Sequence, residues 1–317
     1  MTNTAVKQAA NRQGAKRRAG KKNLTLLLIA LPGLIYLLIN NYIPMFGIFI
    51  AFKQMDYSKG IFGSEWSGLN NFKFLFQTKE AWVMIRNTVL YNLTFIILGA
   101  VLAVFIAILM SEVTKYFCSK LFQAGLILPN LISMVVVAYL VYAFLNPETG
   151  LVNKTILSAM GVTGINWYTE SKYWPFILVL VQMWKSAGYS SIIYIASITG
   201  IDKGLYEAAR LDGAGKFKQL ACITLPQLKP TIIMLTLMSV GRLFASDFGL
   251  FYQVPMNSGA LFNVTQTIDT YVYRGLMNYG NIGMSSAAGL FQSVVGFMLV
   301  VGANWIVRKT EAESALF

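Results

Sequence analysis

The chain has 317 residues, 56% of them hydrophobic and only 12% charged, with a mean hydropathy of +0.57. A soluble domain carries about 25% charged residues, so the composition excludes a chain built mainly of soluble domains, and length translates into membrane spans. Histidine is absent and the two cysteines, Cys118 and Cys222, lie far apart, which excludes a metal cluster, a disulfide framework and a Cys–His nucleophile.

Residues 1–23 are polar and basic, with seven Lys and Arg and no acid, and read as a disordered cytoplasmic tail. Gly14 to Lys22 is not a phosphate loop, because its glycine spacing is off by one and no Ser or Thr follows the lysine. The apolar run from Leu24 to about Phe52 is too long for a cleaved signal and lacks a small-residue cleavage site, so it reads as the first span, with a kink expected at Pro32 or Pro44. Residues 53–85, with Trp66 and Trp82, read as an interfacial helix on the outer face. Spans two and three are expected at 87–111 and 121–145, joined by a short loop with Lys115 and Lys120. Outer loops are expected at 146–172 and 253–282. Spans four, five and six are expected at 173–199, 231–252 and 283–307, followed by a short tail, 310–317. The transmembrane domain is thus 24–309.

Lys and Arg are enriched in the segments this layout puts on one side: the tail, the first loop, 201–230 and the chain end. That bias places both termini in the cytoplasm of a multi-pass membrane protein. It also accounts for the net charge of +13 through contact with anionic membrane lipid, with no nucleic acid partner.

The polar island at 201–230 reads IDKGLYEAARLDGAGKFKQLACITLPQLKP. Tyr206 to Leu211 is a helix former, Asp212-Gly213 is a turn signal, and Ala214 to Thr224 reads as a second short helix stopped by Pro226. Such a knob suits the groove of a soluble partner, and the plainer alternative is a connecting loop. Glu207-Ala208-Ala209, then Gly213, then Ile223, Leu225 and Pro226 resemble the EAA motif of ABC-importer membrane subunits, and Asp212-Gly213-Ala214 matches the DGA common in those loops. Leu220 departs from the pattern, since an aromatic is frequent there. The GLNNFKFLF segment at 68–76, Arg86-Asn87-Thr88, TIDTYVYRGL at 267–276 and the stretch 287–309 resemble carbohydrate-type, LplB-like polysaccharide permeases.

The resemblance implies an all-α integral membrane fold of the type I ABC-importer permease kind: six transmembrane helices, a cytoplasmic coupling helix and a core at 87–307. It implies a second homologous permease, two ATP-binding subunits that hold ATP and Mg, an extracellular solute-binding protein and an oligosaccharide substrate. The first span would pack on the partner permease. Coupling would rest on Tyr206, Glu207, Ala208, Ala209, Asp212, Gly213, Ala214, Leu225 and Pro226. Glu207 would pair with a basic residue of the ATPase, and no cofactor would sit in this chain.

Charge inside hydrocarbon is costly and marks cavities or partners. Lys185, Arg242 and Asp247 fall in spans four and five, near Gln182, Trp184, Tyr189, Phe244, Phe248 and Tyr252. Aromatic faces stack on sugar rings and polar groups bond hydroxyls, so this set is the candidate substrate pathway. By position these helices resemble the substrate-lining pair of the maltose permease. The alternative is an ion pair from Asp247 to Lys185 or Arg242 that fixes packing; an unpaired Lys185 or Arg242 would instead suit an acidic sugar. Two other classes compete. An ion-gradient carrier would want internal repeats and broken midplane helices. A membrane enzyme would want a histidine or clustered carboxylates.

Overall fold

The computed structural model describes residues 26–73, 77–113 and 116–310. The basic tail, Lys115 and residues 311–317 lie outside the described residues. Among the described residues the regular structure is helical apart from one two-residue strand pair, Lys53–Gln54 (β1) with Glu65–Trp66 (β2), antiparallel with Lys53 opposite Trp66.

Among the described residues five helices are long and apolar enough to cross a membrane, six if one bent pair counts as a span. The first, α1 (Leu26–Phe52), changes winding beside Pro44: Leu38–Tyr42 is π-wound and Phe46–Phe52 is 3-10. No residue of its most apolar stretch is buried in the chain; only its far end lies against the last helix. Residues 53–72 are not the expected interfacial helix. They form the β1–β2 hairpin with a one-turn helix, Gly60–Gly63, and a 3-10 turn, Asn70–Phe72. Helix α2 (Lys79–Ser111) starts earlier than expected because Thr78 caps it, accepting from the Ala81 amide at 3.2 Å.

The third span is broken. Helix α3 (Tyr116–Leu131) contains Pro129, and the direction turns by 93° before α4 (Met134–Leu145), which Ser133 caps at its start. Helix α5 (Trp174–Thr199) packs along α2 to form the central pair. Helix α6 (Lys203–Leu211) and the turn after it form a knob.

The fifth span is displaced from its expected place. Helix α7 runs Lys216–Val240, and the chain then leaves the helix over 241–247 before a short α8 (Phe248–Tyr252). Pro226 does not stop it: Leu220–Thr224 is π-wound, and Pro226 sits in the first turn of the regular segment Leu225–Val240, where its missing N–H is not needed. The helix gives out at Gly241, which is pressed against Val300 of the last helix. Within the connection 253–282 Ile268–Tyr279 forms a further helix, α9, opened by a Thr267/Thr270 capping box. Helix α10 (Ile282–Thr310) completes the bundle, with Arg308 and Lys309 in its last turn.

Three buried clusters hold these elements: one between α2, α4, α5 and α8 around Tyr91, Val137, Trp174 and Phe251, one around Met84 and Ile268, and one at the knob end around Tyr194, Ile198 and Leu228. At the opposite end the segments expected to lie outside form a collar. Arg86 and Asn87 donate to the carbonyl of Asn263, Tyr91 donates to Val264, and the Ile268 amide donates to Thr88. Arg86-Asn87-Thr88 is therefore a splint between α2 and the main chain of the collar.

Candidate functional site

The knob is built by capping and one left-handed residue. Asp202 accepts from the Gly204 amide at 2.9 Å and starts α6. After Leu211 the amides of Asp212, Gly213 and Ala214 donate back to Ala208, Arg210 and Ala209, which closes the turn. Gly213 has φ of +76°, where any side chain would be strained. The turn is pinned by a 2.9 Å contact between the hydroxyls of Tyr206 and Thr224, by Gln219 donating to the Ala214 carbonyl, and by an ion pair from Lys216 to Glu112 at the end of α2.

Of the residues expected to couple, Tyr206, Ala209 and Ala214 are half-buried and face the bundle, while Glu207, Ala208, Asp212 and Gly213 are exposed. Leu225 and Pro226 are exposed too, but on the shaft of α7 rather than in a loop. Two residues the sequence reading passed over stand at the tip: Leu211 is 90% exposed and Phe217 88%. Exposed apolar side chains at a polar tip are what a docking partner would cover.

A cavity of about 660 Å³ lies between α2, α5 and α7. Gln182, Tyr189, Arg242 and Asp247 line it, as expected, joined by Asn92 and Ser186. Arg242 and Asp247 are exposed to it and, among the described residues, neither forms an ion pair. The expected Asp247 pair with Lys185 or Arg242 is thus not made. Asp247 instead caps α8, accepting from the Leu250 amide at 3.0 Å.

The other pathway residues lie elsewhere. Trp184 faces the opposite side of α5, into an apolar groove of about 1310 Å³ between α2, α3 and α5. Phe244 packs edge-on against Phe291 in the Met84–Ile268 cluster. Phe248 and Tyr252 stack on each other and both touch Tyr273, so they form an aromatic trio beside the collar. Lys185 points away from the cavity toward the break in the third span. Phe244, Phe248 and Tyr252 share one cause: the helix ends at Gly241, so α8 and its aromatics leave the axis that a continuous 231–252 helix would have followed.

The segment 241–247 shapes the cavity wall and is held by groups the sequence reading did not single out. Asn92 donates to the carbonyls of Leu243 and Ala245. Asp269 of α9 accepts from the amide and hydroxyl of Ser246 at 2.7 and 2.8 Å, and from Gln292 of α10 at 3.3 Å. An acid in a connecting segment carries no local signal of a partner 23 residues away. Farther out, a hydrogen bond from the Ser58 hydroxyl holds the Asp56 carboxyl below its usual range.

The family model for binding-protein-dependent transport system inner membrane components matches residues 96–312. Protein LplB of Bacillus subtilis is 33% identical over 293 residues, covering 92% of this chain and 91% of that protein. The polygalacturonan/rhamnogalacturonan transport system permease protein YteP of the same organism is 36% identical over 285 residues, covering 90% and 88%. Among solved structures, a bacterial ABC transporter involved in the import of the acidic polysaccharide alginate superposes with a TM-score of 0.85 at 31% identity, covering 94% of this chain and 99% of that one. The alginate transporter in complex with its alginate pentasaccharide-bound periplasmic protein gives 0.83 at 31% identity, covering 92% and 97%.

Proposed function

This chain belongs to the family of binding-protein-dependent transport system inner membrane components, and from that premise we propose that it forms half the pore of an ATP-driven importer whose cargo is an acidic oligosaccharide. The family is one of transport components rather than enzymes, and it sets aside the ion-gradient carrier.

The observation that carries the cargo is Arg242, a cation with no ion pair among the described residues, on the wall of a cavity between apolar helices. A charge held there is costly unless something meets it. A guanidinium presents a planar fork to a carboxylate, and Asn92, Gln182, Ser186 and Tyr189 supply donors and acceptors for hydroxyls. The named cargoes of YteP and of the alginate transporter support the same reading.

A second homologous permease closes the other half of the pathway, and an extracellular binding protein delivers the sugar. Of two ATP-binding subunits, one docks on the knob, which puts the knob and both termini in the cytoplasm. The exposed face of Glu207, Leu211 and Gly213 is the surface it grips. Closure of the ATP-bound pair then pushes the knob, and α5 and α7, which enter and leave it, carry the push to the cavity.

The test is uptake into vesicles holding the assembled complex. Uptake must require ATP and persist when ion gradients are collapsed. Arg242→Met should depress transport of uronate oligosaccharides at least tenfold and spare neutral ones. Equal transport of both cargoes by wild type and variant would remove Arg242 from the pathway. Co-purification of the ATPase should be lost when Glu207 and Gly213 are changed together.

A further inference from the structure

We infer that Lys185 is a positioning residue of the transport cycle: its ammonium clamps the broken third span to α5, so that α5, α3 and α4 move together when the knob is pushed. This rests on the importer reading above.

The last carbonyls of any helix lack intrahelical donors and carry the negative end of its dipole. Within a bilayer no water is at hand to satisfy them. α3 ends there, and Lys185 donates to the carbonyls of Pro129, Asn130 and Ile132 at 3.3, 3.1 and 2.5 Å. An ammonium has three donors and no acceptor, so its bonding capacity is spent on this one helix end. A cation engaged in this way is withdrawn from any sugar.

The clamp has neighbours on both sides. One turn along α5, Gly188 lies against the main chain of Leu126, so α3 and α5 are joined at two successive turns. Just beyond the break, Met134 at the start of α4 abuts Gly249 of α8, so closely that a Cβ on Gly249 would stand 2.9 Å from it. α8 follows Asp247 on the cavity wall. At its other end α5 runs through Gly200 into the knob. A continuous series of close contacts therefore leads from the knob along α5, through Lys185 to the break, then through α4 and α8 to the cavity. The 93° corner is where a displacement along α5 becomes a sideways movement of α4.

The experiment compares wild type with Lys185→Met and Lys185→Arg as assembled complexes in vesicles, measuring ATP hydrolysis and sugar uptake side by side. In Lys185→Met, basal ATP hydrolysis should stay within twofold of wild type. The maximal uptake rate should fall at least tenfold with KM for the sugar unchanged, so that sugar carried per ATP collapses. Lys185→Arg, which restores a cation with several donors, should recover at least half the uptake. Hydrogen exchange in the same complexes should accelerate at residues 130–137 in the Met variant and not in the Arg variant. Unaltered sugar per ATP in Lys185→Met would overturn the assignment, as would a raised KM at unchanged maximal rate, which marks a substrate contact. If Lys185→Met fails to assemble, Lys185→Gln, which keeps one amide donor, decides by the same readouts. Wild-type uptake indifferent to ATP would overturn the importer reading, and this assignment with it, a result distinct from a normal variant beside an ATP-dependent wild type.

Discussion

Gly188 in α5 and Leu126 in α3 touch through their main chains: a Cβ placed on Gly188 would stand 2.0 Å from the Leu126 carbonyl oxygen. In a bilayer, helices associate through packing rather than through the hydrophobic effect, and small residues permit the closest approach. The obstacle to a larger residue here is backbone, which cannot rotate aside.

Gly188→Ala should therefore be destabilising at the upper end of what overpacking costs, about 3 kcal/mol. The check is the thermal midpoint of the purified chain in detergent, with Gly99→Ala as control, since a Cβ there meets only a methionine methyl at 4.0 Å. Equal midpoints for the two variants would mean that α3 and α5 do not meet at Gly188.

Asp269→Ala should loosen the 241–247 segment, because the Ser246 amide and hydroxyl and the Gln292 amide would lose a charged acceptor. Hydrogen bonds to charged groups contribute about 1.5–3 kcal/mol. Asp269→Asn keeps an acceptor and should cost less. Limited proteolysis between Gly241 and Asp247 reads this directly, and cleavage at the wild-type rate in both variants would argue against the clamp.

Leu211→Ser with Phe217→Ser should leave the fold within about 0.5 kcal/mol of wild type, as exposed sites do. Affinity for the ATP-binding subunits should fall about tenfold or more, since truncating buried interface anchors costs over 1 kcal/mol each. Titration of the ATPase against the purified permease pair measures it. Unchanged affinity would take both tips out of the docking face.

At Gly213 two substitutions separate backbone strain from bulk. Asn is larger than Ala yet tolerates positive φ better. If the φ of +76° is what the glycine serves, Gly213→Asn should retain more ATPase binding than Gly213→Ala. The reverse order would point to a steric requirement at the docked surface.

The elements most legible in the sequence were those whose signals are local. Apolar runs located the long helices, and the Asp212-Gly213 turn announced itself because only a few residue types accept its geometry. The two prolines show where locality fails. Pro129 precedes a sharp break and Pro226 does not, although both lie within the run of a helix. Their difference lies in a π-wound turn beside one and a lysine beside the other. Lys185 is legible as a helix residue, but its hydrogen bonds to the third span are not, because the acceptors lie 53 to 56 residues away. Phe244, Phe248 and Tyr252 lie off the cavity because α7 ends before them, at a Gly241 whose close neighbour is Val300 of a later helix. Gln182, Tyr189, Arg242 and Asp247 line the cavity because they lie before that divergence or on the turn itself.

The near-total exposure of α1 bears on how the protein is made. In water, a bare rod of leucine and isoleucine would force immediate aggregation; hydrocarbon solvates it as readily as another helix would. α1 can therefore insert and wait with nothing packed against it. On the proposed assembly, anchoring of this chain and later capture of the idle rod by a neighbouring subunit are separate events, so that chains made in excess stay dissolved in lipid.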